Sequence, residues 1–263
     1  MNPLHKKIND YYYQKQIHPL EFNCPFEAFC QSTSPETITQ AKMSMVGSKY
    51  GEHYPRIVVV SLDPPKNFTS KNEPELRTTQ AVTEHDENWD FEKKRPNQHW
   101  AKTQIIVKDM LRIFGYPTNE NVAVVEKPYG NFIIENVSRY FAHVNVAKCS
   151  MNKTNQSQAD PCVHKICGFH YLEGELEILE PEIIISQGQG ANHALARIFK
   201  VEPIPAIPFT KTIPFSDNQV LWMPTLHPSA WRVYSTFTDE HWDIYKTQIE
   251  SWKEKNWSKA DFH

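Results

Sequence analysis

The chain has 263 residues, 40% of them hydrophobic and 22% charged, with a formal net charge of −3; that is enough for one sizeable core. A net negative chain excludes a broadly basic nucleic-acid binder, because phosphate is held mainly by Lys and Arg, so any such contact has to come from a local patch. With no run near the roughly 18 apolar residues of a membrane span, no signal-like opening and an odd count of five cysteines, the expectation is a soluble, cytoplasmic protein in a reducing compartment rather than a disulfide scaffold.

Residues 3 to 17 place Leu4, Ile8, Tyr11 and Tyr12 at helical spacing. Cys24 and Cys30 come next in an aromatic setting, and Ser34-Pro35-Glu36 reads as a helix start. Ile57 to Leu62 is the strongest buried-strand signal and runs into Asp63-Pro64-Pro65, a loop stiffened by fixed φ angles. Residues 66 to 98 are polar, include the basic run Lys93-Lys94-Arg95, and read as one long loop insertion. His99 to Phe114 is helical by spacing, and Gly115 suits its end. A second apolar strand, Tyr140 to Val146, leads into Ala147-Lys148-Cys149. Asp160 to Leu179 contains a helix, Ile183 to Ser186 a third strand ending in Gln187-Gly188, and Ala191 to Phe199 a short helix. Val220 to Met223 is a fourth strand, leading into Pro224 to Trp231, and an amphipathic helix closes the chain from about Asp239 to Trp252. Apolar strands alternating with helices predict an α/β fold, a three-layer α/β/α single domain over residues 1–263 with a central, mainly parallel four-stranded sheet.

Ligands of such sheets bind at the carboxyl ends of the strands. Three polar side chains stand there: Asp63, Asn145 and His227. Each also has a bland reading, as a turn residue, a turn cap and a satisfied structural histidine. Cys149 by itself reads as a small apolar residue.

Taken together the three motifs resemble those of the uracil-DNA glycosylase superfamily over most of the chain, from about Cys24 to Trp231. Asp63-Pro64 resembles the start of the Asp-Pro-Tyr-His motif of the classical branch. Asn145-Val146-Ala147-Lys148-Cys149 resembles the Asn-Val-Val-Lys-Cys of the iron–sulfur branch, and His227-Pro228-Ser229 resembles the His-Pro-Ser motif. Tyr171-Leu172-Glu173, the helix after Cys167 and the strand reaching Gly188 resemble the iron–sulfur branch as well. The chain departs from it in carrying Asp63-Pro64-Pro65 where that branch has Gly-Glu-Ala-Pro-Gly, and Cys24-x5-Cys30 where it has Cys-x2-Cys.

The resemblance implies a monofunctional glycosylase, acting as a monomer, that hydrolyses the N-glycosidic bond of uracil or a related deaminated base in DNA. Asp63 would position the attacking water, and His227 would donate to uracil O2 as the base leaves. Asn145 would read the base edge, while His99, Trp100 or Phe68 would stack on it. Lys148, Lys153, Ser229, Trp231 and Arg232 would contact DNA. Cys24, Cys30, Cys149 and Cys167 would hold a [4Fe–4S] cluster. Cys162 is an alternative fourth ligand; zinc or free buried thiols are the other readings of these cysteines. The competing functional reading keeps fold and cluster in a catalytically inactive nucleic-acid- or nucleotide-binding protein.

Overall fold

The computed structural model describes residues 2–33, 38–64, 73–90, 98–117, 123–127, 130–151, 159–202, 207–228 and 241–257. In chain order the elements begin with helices α1 (Pro3–Gln14) and α2 (Glu27–Ser32) and strands β1 (Ile38–Ala41), β2 (Met45–Val46) and β3 (Ile57–Ser61). Next come helices α3 (Thr79–Glu87) and α4 (Gln98–Ile113), then β4 (Ala123–Lys127), β5 (Gly130–Ile134), β6 (Phe141–Asn145) and β7 (Cys149–Met151). The second half holds α5 (Pro161–Cys167), α6 (Glu173–Leu179), β8 (Ile183–Gln187), α7 (Gln189–Ile198), β9 (Lys211–Phe215), β10 (Asn218–Thr225) and α8 (Trp242–Asn256). Local chemistry sets the helix starts. Asn2 accepts from Leu4 N at 2.9 Å ahead of Pro3, and Asp160 accepts from Cys162 N at 2.9 Å ahead of Pro161.

The main sheet has six strands in the order β2-β6-β3-β8-β10-β9, where the sequence predicts four. The four expected strands, β6, β3, β8 and β10, are parallel to one another in its middle. The antiparallel edges β2 and β9 complete it. Neither edge has the continuous apolar run that betrays a strand buried on both faces: β2 is two residues long, and β9 is mostly exposed around a buried Ile213. Two small antiparallel pairs, β1 with β7 and β4 with β5, stand apart from the main sheet.

Successive residues of β3 enter different clusters. Val58 and Val60 pack with α1, α6 and α7 through Ile8, Leu176 and Leu195. Ile57 and Val59 pack with α4 and α8 through Val107, Met110 and Ile249. Burying each such side chain is worth about 1.5–3 kcal/mol. The expected polar loop at 66–98 is corrected in part, because residues 79–87 form α3. Thr78 caps that helix through Ala81 N, and Val82 is fully buried. Its mostly polar surface hides the helical period from a reading of the sequence. Ser34-Pro35-Glu36, the expected helix start, lies outside the described residues, and the element that begins at Ile38 is a strand.

Candidate active site and cysteine cluster

The parallel register carries three of the expected residues to one edge. Ser61 pairs with Asn145, and beyond the last paired residues Val146 N donates to Ser61 O at 2.8 Å and Ala147 N to Leu62 O at 2.9 Å. The Asp63 turn therefore lies beside the turn after Asn145. On the other side Gln187 pairs with Thr225, and Gly188 N donates to Thr225 O at 2.9 Å. Gly188 has φ +93°, and a Cβ there would stand 3.0 Å from Cβ of His227. Only glycine fits both the backbone angle and that approach. Asp63, Asn145 and His227 thus sit at the ends of three of four adjacent parallel strands, with Gly188 filling the gap at the fourth.

Asp63 is mostly buried. Its Oδ1 accepts from His164 Nε2 at 2.8 Å and from Ala159 N at 3.2 Å. Its buried Oδ2 has no hydrogen-bond partner among the described residues. Asn145 is 4% exposed, and its Oδ1 is likewise buried without a partner among them. A buried acceptor left open costs about 1–3 kcal/mol, so two at one strand edge mark a place built to receive donors. Beneath them Ser61 Oγ meets His143 Nε2 at 2.8 Å and donates to Gln187 Oε1 at 3.0 Å, and Gln187 Nε2 donates to Thr103 Oγ1 at 2.9 Å. This chain of bonds locks the floor under the edge.

His227 is half-buried with its ring 5.3 Å from that of His99. Burial lowers the His227 pKa and nearby Lys102 adds to this, while Asp63 opposes it. His99 is pushed down to about 3 by burial first, then by His227, Lys42 and Lys102, and His143 is lowered well below the usual histidine range, also mainly by burial. His99 and His143 are therefore neutral at pH 7. A histidine whose folded pKa lies below its unfolded value of about 6.5 stabilises the fold fully above that value, and the stability is lost as pH falls toward the folded pKa. His99 should thereby cost about 2 kcal/mol of unfolding free energy between pH 7 and pH 5, and His143 acts in the same direction. Urea titrations at the two pH values should show this drop, and His99→Gln should reduce it; an identical pH slope in both proteins would refute the assignment.

Lys148 corrects the expectation of a DNA contact. It is 1% exposed, and its ammonium pairs with Glu175, itself fully buried, and donates to the main-chain oxygen of Asn145. Glu175 Oε1 also accepts from Ser44 at 2.6 Å and from Tyr12. This network ties α1, α6 and the segment before β2 to the turn that presents Asn145. Lys148 is a positioning residue.

Trp100 packs edge-on against His143 at 5.4 Å and tilts over Phe141 at 5.8 Å, so it sits on the sheet, while His99 is the ring that faces His227. His164 escaped the sequence reading. Its place near the start of a capped helix carries no chemical signature, and Asp63 is 101 residues away. Phe68, Lys153, Ser229, Trp231, Arg232 and the run Lys93-Lys94-Arg95 lie outside the described residues.

Four cysteines converge next to this turn. Cys30, Cys149 and Cys167 are buried, Cys24 is half-buried, and all are free thiols. Burial raises Cys30 to about 11, with Cys24 adding to the shift. Cys149 is raised well above the usual thiol range by burial, then by Cys167, Cys24 and Cys30. Burial carries Cys167 to about 12; Lys148 opposes this, and Cys30 and Cys24 add to it. Each buried thiol therefore feels others of the group, while Cys162 is exposed and outside it. These are the four cysteines for which the resemblance implies a cluster, three of them buried and one half-buried. Among the described residues no group of three or more His, Cys, Asp or Glu side chains that could hold a metal ion is found.

No protein-family model matches the chain, and no curated protein matches it significantly. No helix among the described residues is long and apolar enough to cross a membrane.

Proposed function

We propose that the protein is a monofunctional DNA glycosylase that hydrolyses the N-glycosidic bond of uracil, or of a related deaminated base, in DNA. The observation that carries this reading is the shared edge of Asp63, Asn145 and His227, with the open acceptors Asp63 Oδ2 and Asn145 Oδ1 both buried there. The resemblance in the order of the motifs supports it. On this reading the protein is one three-layer α/β/α domain, monomeric and cytoplasmic, and its partner is DNA carrying the damaged base.

Cleavage separates a cationic sugar from an anionic base, so the useful groups are those that meet charge appearing only in the transition state. His227, kept neutral by burial and Lys102, donates a hydrogen bond to the base oxygen where negative charge grows. Asp63, braced through Oδ1 by His164, has Oδ2 left to orient water and to favour the sugar cation. Asn145 Oδ1 accepts from uracil N3–H. Cytosine presents an acceptor at that position and would leave two buried acceptors opposed, which such a site rejects strongly. The base must first leave the stack, at a cost of a few kcal/mol. Cys24, Cys30, Cys149 and Cys167 would hold a [4Fe–4S] cluster with a structural role, joining the N-terminal segment to the turn after Asn145.

The test is a glycosylase assay on oligonucleotides containing uracil, hypoxanthine or a mismatch. Wild-type protein should release uracil. Asn145→Asp should gain activity on cytosine, because a protonated carboxyl donates to cytosine N3 and accepts from its amino group. Absence of release from every oligonucleotide, with tight binding to them, would replace this reading by the inactive binding protein. The departure at Asp63-Pro64-Pro65 from the first motif and the net charge of −3 favour that second reading.

A further inference from the structure

Two short proline-led turns, Pro19–Glu21 and Pro74–Arg77, pack against each other. His18 caps the first by accepting from Leu20 N at 3.3 Å, and in the second Leu76 N donates to Glu73 O at 3.2 Å. Beside them strand β1 is irregular. Thr39 pairs with Ser150 and Ala41 with Cys149, so Gln40 is the extra residue of a bulge, a device that re-aims a side chain away from the ladder. With α2 these elements bound a cleft of about 330 Å³ lined by Pro19, Leu20, Phe22, Glu27, Gln40 and Pro74. Proline holds φ on two of its walls, which limits the ordering that an occupant would have to impose.

The surroundings of the cleft are apolar where solvent reaches them. Seven large hydrophobic side chains are exposed among the described residues, and three of them belong here: Leu20 at 48%, Leu76 at 46% and Phe29 at 42%. Leu20 lines the cleft, Leu76 stands on the turn that supplies Pro74, and Phe29 on the helix that supplies Glu27. A single exposed leucine needs no explanation, whereas several around one concavity mark an interaction surface. The charge is one-sided as well. Glu21, Glu73 and Glu75 are exposed and Glu27 is half-buried in the cleft. None of the four forms an ion pair among the described residues.

We propose that this cleft docks an extended peptide segment of a partner protein, one that carries Lys or Arg beside a large apolar residue. The apolar side chain is the anchor and enters between Pro19, Leu20, Phe22 and Pro74. The basic neighbour meets Glu27 in the cleft and the carboxylates of Glu21, Glu73 and Glu75 around it. The volume suits one large side chain and part of a second, so recognition is of a short motif. Few buried anchors carry most of the affinity of such contacts, and the surrounding charges steer the encounter and select the partner. None of these residues belongs to the Asp63, Asn145 and His227 edge, so the inference stands apart from the glycosylase reading.

The experiment applies the full chain to an array of short random peptides; those retained are resynthesised with a fluorescent label and titrated. They should combine Lys or Arg with Leu, Ile or Phe, and affinity should fall with added salt, which screens exposed charges. Leu20→Ser with Leu76→Ser should weaken binding about 10-fold or more, as loss of an apolar anchor does. Glu27→Lys should abolish binding of the same peptides and, on a fresh array, move the selection to peptides rich in Asp or Glu. Urea unfolding checks that each variant is folded, and Leu76→Ser alone serves should the double variant not accumulate. Three results would each overturn the proposal: no peptide retained, retained peptides without Lys or Arg, or unchanged affinity in the folded variants. A dimer in sedimentation that Leu20→Ser dissociates would overturn it too, since a second copy of this chain would then be the occupant.

Discussion

Lys148→Ala is expected to lower the free energy of unfolding by about 3–5 kcal/mol, the usual result of removing one partner from a buried ion pair. The reason lies in what remains. Glu175 is fully buried, and without the Lys148 ammonium its charge is left with the hydroxyls of Tyr12 and Ser44. The main-chain oxygen of Asn145 loses a donor in the same step. Against a typical total of about 5–15 kcal/mol for a domain, the variant should be marginal at room temperature. A second comparison separates a bad remainder from a good interaction. Lys148→Met with Glu175→Gln removes both charges and should recover much of the loss, because a neutral pair leaves no stranded ion. Urea unfolding of the single and double variants measures both quantities. A single variant within about 0.5 kcal/mol of wild type, the usual range for a surface substitution, would show that the pair is not formed in solution.

His227→Ala should lower the single-turnover rate of uracil release by about 10²–10³-fold, as loss of one donor to developing charge generally does. Affinity for uracil-containing DNA should change little, since the lost bond strengthens only as the base becomes anionic. Asp63→Asn should behave similarly for a different reason. The amide can still occupy the space beside His164 but carries no charge to favour the sugar cation or to accept strongly from water. Wild-type rates in both variants would place the chemistry elsewhere on the molecule. Because Asp63 and His227 feel each other electrostatically, the double variant should lose less than the product of the two single losses.

Much of the frame is legible without coordinates, and the residues say why. Ile57 to Ser61, Phe141 to Asn145 and Ile183 to Gln187 are buried at every position. A strand covered on both faces must be apolar through most of its length, and that pattern is local. The polar residues that interrupt it at the carboxyl ends are visible for the same reason. The edge strands β2 and β9 and the helix α3 are hidden, because short or half-exposed elements leave too few apolar positions to show a period.

What the sequence alone determined is therefore the central parallel strands and the candidates at their ends, Asp63, Asn145, His227 and the cysteines. Only the tertiary structure decided which partners they meet. Lys148 comes just after a strand and carries a charge, so it reads as a surface residue; Glu175, 27 residues later, makes it an interior one. Asp63 acquires its brace from His164, 101 residues away, and Arg77 reaches Ser150 across 73 residues. The physical reason is common to all three. Burial of a segment is written in its own periodicity, whereas the pairing of two charges or hydrogen-bonding groups depends on the distance between segments that the chain folds together, and neither segment alone carries a mark of the other.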